Sequence, residues 1–310
     1  MSDFAGLNAL GQPLPPAEFE RRFGGSRRLY GGAGAERLFG AHVVVVGLGG
    51  VGSWAAEALV RAGVGEITLI DLDHIGESNI NRQLHARSDT LGQAKVEAMR
   101  DRALAINPGV KLHLVDDFVT PQNWAGMAAP WLVPGQSRLA VLDACDAVAA
   151  KTCMAAWALQ HGVLHIAVGA AGGKRLAHQV QIADLSETTH DPLLAQLRYR
   201  LRKHHGAGRQ GAMGVPCVFS REAVAPPAAP EVCGVGEVGE VGPVPNEALP
   251  GTDHSLNCHG YGSSVAVTAT FGLCAAGWVM EQLATGARAA RPARRKKEGP
   301  SKTPENDAII

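Results

Sequence analysis

The chain carries no net charge: 29 lysines and arginines balance 29 aspartates and glutamates over 310 residues. No global field therefore draws it to nucleic acid, and any RNA contact has to come from a local basic patch. Six cysteines stand at 145, 153, 217, 233, 258 and 274 with no C-x-x-C pair among them, which argues against a zinc ribbon. Cys145 and Cys153 read as core thiols, and this cysteine usage fits a reducing, cytoplasmic compartment. The first residues show no basic start followed by an apolar run, so no secretory leader is expected. Charged residues make up 19% of the chain and hydrophobic ones 46%, a globular balance with enough apolar surface to build a substantial core. One uncharged run, residues 262–279, approaches spanning length. It is made of Gly, Ala, Ser and Thr rather than Leu and Ile, so a buried core or dimer-interface helix is expected and stable membrane insertion is not.

What the chain does have is a repeated alternation of strand and helix patterns. The β-branched run 42–46 fits a strand buried on both faces. A glycine turn and a helical pattern over 51–62 follow. Further strands are expected at 67–70, 111–115, 139–142 and 164–168, with helices over 93–105 and 147–161. This order predicts an α/β fold, a Rossmann-like doubly wound and mostly parallel sheet. Beyond Gly169 the pattern changes to an exposed antiparallel strand over 179–182, a basic helix over 192–205 and a short strand over 215–220. The expected organisation is a disordered N-terminus at 1–16, one Rossmann-like domain with an N-terminal helical arm at 17–225, and a flexible Gly/Pro/Val-rich loop at 226–256. A C-terminal helix at 257–287 packs on the same domain, and a disordered basic tail occupies 288–310.

Four motifs carry chemistry. In VVVVGLGGVG, Gly47, Gly49, Gly50 and Gly52 let the backbone turn tightly out of a strand and approach a phosphate, where the next helix presents free N–H groups and its positive dipole end. This motif alone is equally compatible with a nicotinamide or flavin enzyme and with an adenylating enzyme. Asp71 lies 19 residues beyond Gly52 at the end of the second strand, where a carboxylate can accept hydrogen bonds from ribose hydroxyls; that too fits both. The third motif, DLDHIGESNINRQLHARSDTLGQAK, separates them. A dehydrogenase has no need of an arginine and a lysine beyond the acidic strand end. An enzyme that splits ATP between its α and β phosphates must meet developing charge with fixed cations. Arg82 offers a planar fork and Lys95 a point charge, while Asn79 and Gln83 can hold phosphate or ribose oxygens without adding charge. In the fourth, LDACDA, Asp146 follows the fourth strand at the carboxyl edge of the sheet, placed either to hold Mg²⁺ against ATP phosphates or to cap the next helix.

Taken together, GLGGVG, LIDLD, SNINRQ, LGQAKVEA, INP and LDACD resemble the superfamily of ubiquitin-activating-like adenylating enzymes, over about residues 20–170. Within it, RRFGGSRRLYG, VDDFVTPQN, GAAGGKR, QVQIADLSETTHDPL and GVPCVFSRE are similar to the branch that dehydrates threonylcarbamoyladenosine in tRNA, extending the likeness to about residues 20–285. The resemblance implies ATP and Mg²⁺ as cofactors, adenylation of a carboxylate, and a site formed by Gly47, Gly49, Gly50, Gly52, Asp71, Asp73, Ser78, Asn79, Ile80, Asn81, Arg82, Gln83, Lys95 and Asp146. Arg82, Lys95 and Asp146 would be catalytic, with Asp146 linked to Mg²⁺ through ATP.

The implied partners are a tRNA bearing threonylcarbamoyladenosine, a second copy of the chain in a homodimer, and a cysteine desulfurase or other sulfur acceptor. The alternative within the superfamily is activation of a sulfur-carrier protein, against which the missing C-x-x-C pairs weigh. Relatives place an arginine finger near the N-terminus where this chain has glycine, in Phe23-Gly24-Gly25, and Arg22, Arg27 or Arg28 could substitute. Cys217 is either a strand-buried structural thiol or a reactive one. The basic helix with Arg198, Arg200, Arg202 and Lys203 is either a solvated face or a tRNA phosphate contact.

Overall fold

The computed structural model describes residues 15–132, 138–225 and 261–287. The expected N-terminal segment up to residue 14, the loop at 226–256 and the tail at 288–310 lie outside these residues, as do Cys233 and Cys258.

Seven strands form one sheet in the order β3-β2-β1-β4-β5-β7-β6. They are β1 (His42–Val46), β2 (Glu66–Ile70), β3 (Lys111–Val115), β4 (Leu139–Asp143), β5 (Leu164–Val168), β6 (Val180–Asp184) and β7 (Pro216–Ser220). All neighbouring pairs are parallel except β6 with β7. The fold is thus the Rossmann-like doubly wound α/β architecture the alternation predicts, with one antiparallel strand closing it. The order reverses between β1 and β4, and open sheets of this kind bind ligands in the crevice outside the carboxyl ends of the strands at that point.

The period-two alternation of β1 distributes the core. Val43 and Val45 enter the larger apolar cluster with Leu59, Val60, Phe271 and Val279. Val44 and Val46 enter a second cluster with Trp124, Met154 and Trp157. One face of the sheet is therefore covered by α2 (Gly52–Arg61), α3 (Lys95–Ile106) and α7 (Val265–Thr285), and the other by α4 (Trp124–Ala128) and α5 (Val148–His161). Next to α5, α6 (Pro192–His204) buries Leu194, Leu197 and Leu201 against Phe219 of β7.

Local chemistry sets the helix ends. Ser264 caps α7 by accepting a hydrogen bond from Ala266 N at 3.3 Å, and Gly286 ends it at φ 70°. Asp191 caps α6 by accepting from Leu194 N at 3.0 Å, with Pro192 in the first turn, the arrangement the bare N–H groups of a helix start demand.

The arm, expected over 17–30, is a longer helix, α1 (Pro16–Phe39), bent at Gly31, which adopts φ 70°. The short helix α4 was not legible from periodicity. The apolar run at 262–279 is the body of α7, packed on the sheet with Phe271, Ala275 and Val279 fully buried. Among the described residues no helix is long and apolar enough to cross a membrane.

Candidate functional site

The carboxyl ends of β1, β2 and β4 interlock through backbone and carboxylate. Gly47, directly after β1, sits at φ 85°, and a Cβ there would lie 2.9 Å from the Ala144 carbonyl oxygen just beyond β4. A Cβ at Gly52 would overlap the Gly47 carbonyl oxygen. Both positions thus require glycine for close backbone approach. Asp71, at the end of β2, accepts from Leu48 N at 2.6 Å and from Asp73 N at 2.9 Å. It therefore ties the glycine turn to β2, and the remaining lone pairs of its oxygens stay available to a ribose hydroxyl. Burial raises the Asp71 pKa above the usual carboxylate value, opposed by Lys95 and by the two backbone N–H groups.

Lys95 is the first residue of α3 and is buried, 5% exposed. Its Nζ stands 2.6 Å from Asp73 Oδ2 and 3.7 Å from Asp71 Oδ1. An ammonium in this position can exchange the exposed Asp73 carboxylate for a phosphate oxygen.

Arg82 crosses the glycine turn from the other side. A Cβ at Gly50 would lie 3.0 Å from Arg82 Cγ. The guanidinium donates to Ser78 O at 2.6 Å and to Asn81 Oδ1 at 2.9 Å, and Trp54 Nε1 fixes the Arg82 carbonyl at 3.0 Å.

The other residues of the motif are accounted for as follows. Asn79 Oδ1 accepts from Gly76 N at 3.0 Å and shapes the turn. Asn81 Nδ2 donates to Ser263 O at 3.1 Å. Ile80 is exposed. Gln83 is buried, and its Oε1 has no protein partner; its Nε2 would lie 4.0 Å from a Cβ at Gly49. A buried amide oxygen costs free energy unless something donates to it, which a bound ligand or a water can supply.

Asp146 is half-buried and stands three residues past β4. Ala147, directly after it, is the N-cap of α5 (Val148–His161). The structure therefore brings the glycine turn, Asp71, Asp73, Lys95, Arg82 and Gln83 together around the carboxyl ends of β1 and β2, with Asp146 on the adjoining end of β4.

Sequence reasoning overlooked what holds that end of β4. Lys151 and Asp143 are both fully buried, with Nζ 2.9 Å from Asp143 Oδ1 and 3.2 Å from its carbonyl oxygen. The same Oδ1 accepts from the Cys145 backbone at 3.3 Å and from its thiol at 3.1 Å. Burial opposes the Lys151 charge, but Asp143 overrides it and raises the Lys151 pKa. The available signal was a single lysine in an otherwise apolar helix. Lysines are almost never fully buried unless paired.

Elsewhere the structure revises the sequence expectations. Arg198 does not point outward: its Nη1 donates to Leu185 O at 2.9 Å, Thr188 O at 2.9 Å and Thr188 Oγ1 at 3.0 Å. Arg202 donates to Gly208 O and Arg209 O, each at 3.3 Å. Arg200 and Lys203 are exposed, with Lys203 Nζ 5.5 Å from the Tyr199 ring centre. Cys217 is buried in β7, and burial pushes its thiol well above the ordinary value. That environment is the opposite of one that activates a thiolate. Near the N-terminus Gly24 is buried in α1, Arg22 is held by Glu18 and Ile106 O, Arg27 pairs with Glu20, and Arg28 is exposed.

A glycine turn tied to an acidic strand end and flanked by two cations is the arrangement expected of a nucleotide-dependent adenylating enzyme. The chain belongs to the ThiF family, whose sequence model matches residues 25–291. It is 42% identical over 277 residues to the tRNA threonylcarbamoyladenosine dehydratase of Escherichia coli K12, covering 88% of this chain and 96% of the relative. It is 39% identical to the enzyme of that name from Haemophilus influenzae, covering 86% and 94%. The solved structure of the Escherichia coli enzyme, TcdA, in complex with ATP superposes with a TM-score of 0.73 at 38% identity, covering 88% of this chain and 98% of that one.

Proposed function

We propose that the chain is an ATP-dependent dehydratase of threonylcarbamoyladenosine beside the tRNA anticodon. The observation that carries this reading is the convergence of the Gly47–Gly52 turn, Asp71, Lys95 and Arg82 on one edge of the sheet. The similarity to enzymes of that name over nearly their whole length supports the substrate.

The free carboxylate of the threonylcarbamoyl group is a poor electrophile. One of its oxygens attacks the α-phosphorus of ATP, the bond to the β-phosphate oxygen breaks, and pyrophosphate leaves. A nucleophilic atom of the same threonylcarbamoyl group then attacks the acyl carbon and closes a ring. AMP leaves with the former carboxylate oxygen, and the nucleoside has lost the elements of water. Intramolecular closure carries a high effective molarity and needs no enzyme nucleophile, which agrees with the burial of Cys217.

Arg82 and Lys95 meet the charge that grows on the phosphates. Asp71 orients the ribose, Gln83 offers its unpartnered oxygen, and Ser78 and Ile80 line the outer rim of the motif. Mg²⁺ usually keeps several waters and is held by one or two carboxylates plus substrate phosphates. The half-buried Asp146 carboxylate at the carboxyl edge fits that donor chemistry. Asp146 would hold Mg²⁺ there, and the ion would offset negative charge on the triphosphate.

A homodimer in the cytoplasm completes the proposal. Val265 and Leu273 on the outer side of α7 are exposed apolar residues a second copy could cover. Exposed Arg200 and Lys203 remain as tRNA phosphate contacts on α6. A sulfur-acceptor role would need a thiol more accessible than Cys217.

The test is incubation with ATP, Mg²⁺ and threonylcarbamoylated tRNA, followed by nucleoside mass spectrometry. A nucleoside lighter by one water, formed only with ATP, is expected. An unchanged nucleoside, with AMP formation stimulated instead by a carrier-protein C-terminus, would contradict the substrate while leaving the chemistry.

A further inference from the structure

Arginine is a long, flexible side chain, and a cation that must meet charge at one phosphate has to be held in place beforehand. Within its own motif Arg82 donates to Ser78 O at 2.6 Å, and two further contacts link its surroundings to the start of α7. Gly50 lies beside both the arginine stem and α7: a Cβ there would be 3.0 Å from Arg82 Cγ and 3.3 Å from Thr268 Cβ in the first turn of α7. The tip is held by Asn81, whose Oδ1 accepts from Arg82 Nη1 at 2.9 Å while its Nδ2 donates to Ser263 O at 3.1 Å.

We propose that Asn81 is a positioning residue rather than a nucleotide contact: its amide bridges the Arg82 guanidinium to the backbone that leads into α7. The inference rests on reading Arg82 as a phosphate-facing cation. The amide does this work because it accepts at one atom and donates at the other. A carboxylate would hold Arg82 but not the Ser263 carbonyl, and a leucine would hold neither.

The anchor at Ser263 is itself fixed. The Gly262 carbonyl accepts from Gly173 N at 3.0 Å, and the Gly173 carbonyl accepts from Ala225 N at 2.9 Å. Lys174, 2% exposed, donates to His190 O at 2.9 Å, to Ser220 O at 3.4 Å and to Glu222 O. The backbone entering α7 is thus clamped to the loop after β5 and to the exit of β7. Through Asn81, the setting of Arg82 depends on that clamp as well as on its own motif.

The test compares Asn81→Leu, Arg82→Ala and the double variant in ATP- and threonylcarbamoyl-tRNA-dependent AMP formation. Asn81 is exposed, so Asn81→Leu keeps the thermal midpoint of the parent. Misplacing a catalytic group lowers kcat by about tenfold or more, while the KM for ATP stays within about twofold. Arg82→Ala loses about 100-fold, and the double variant is no slower than Arg82→Ala because Asn81 acts only through Arg82. Wild-type kcat in Asn81→Leu overturns the inference. So does a raised KM for ATP at unchanged kcat, which marks a nucleotide contact, or single losses that multiply in the double variant. A wild-type rate in Arg82→Ala overturns the reading of Arg82 itself.

Discussion

The two halves of the sheet use their cations in opposite ways. Around β1 and β2, Lys95 is held by carboxylates, one of them on the exposed Asp73. Arg82 is held by one backbone carbonyl and the neutral amide of Asn81. Around β5 to β7, Lys174, Arg198 and Arg202 all donate to backbone carbonyls of their own chain. A carbonyl that loses such a donor is left unsatisfied, so the second group is structural. A carboxylate that loses its ammonium to a phosphate can turn to water, so Lys95 is exchangeable. The exposure of the partner matters as much as its type: Lys95 pairs with the exposed Asp73, whereas Lys151 pairs with the fully buried Asp143.

The sharpest way to break this comparison is to truncate one cation of each kind. Lys95→Ala is expected to lower the rate of AMP formation by about 100- to 1,000-fold, as loss of a charge-stabilising donor does. Its thermal midpoint should fall only modestly, because Asp73 is exposed and the buried Asp71 keeps its two backbone N–H donors. A large loss of stability with a retained rate would make Lys95 structural. Arg198→Ala should do the reverse: urea unfolding should show a loss of about 1–3 kcal/mol from stranded carbonyls, with AMP formation per folded molecule near wild type.

Both halves also bury a neutral histidine, His85 near Lys95 and His165 in β5. Burial lowers each pKa from 6.5 to about 4. The unfolded chain therefore binds more protons than the folded one between these values, and stability falls as pH drops from about 6.5 towards 4. The expected loss is of order 3 kcal/mol for each histidine at most. Urea midpoints across that window check it; burial lowers His42, beside Glu66, to about 4 as well, so His165→Gln should flatten the slope by about a third. A pH-independent midpoint would show that the imidazoles are not held neutral. The smallest effect is reserved for the exposed pair on α6. Arg200→Glu with Lys203→Glu should weaken tRNA binding several-fold at low salt and reduce its salt dependence, leaving stability unchanged; Arg198→Ala serves as the control that should not alter salt dependence.

Much of the first half was legible in the sequence. The β-branched run of β1, the glycines after it and the acid at the end of β2 are local signals, and the mostly parallel, doubly wound sheet follows from the alternation of strands and helices. The roles within SNINRQ were less legible. Asn79 and Asn81 read as ligand contacts, yet their side chains bond Gly76 and Ser263, the latter far away in sequence. Direction was also hidden in α6: Arg198, Arg200, Arg202 and Lys203 form one basic string, but helical geometry turns Arg198 towards Leu185 and Thr188. The Lys151–Asp143 pair left only one local trace, a lone lysine among the apolar residues of α5, and its partner is set by tertiary burial. The bend in α1 at Gly31 needed a left-handed residue inside an otherwise helical run.

The central claim is that the substrate carboxylate itself attacks the α-phosphorus, and isotope transfer tests it most directly. With ¹⁸O in both carboxylate oxygens of the threonylcarbamoyl group, the account predicts that one ¹⁸O appears in the phosphate of each AMP released. AMP free of label, accompanied by dehydrated nucleoside, would contradict it.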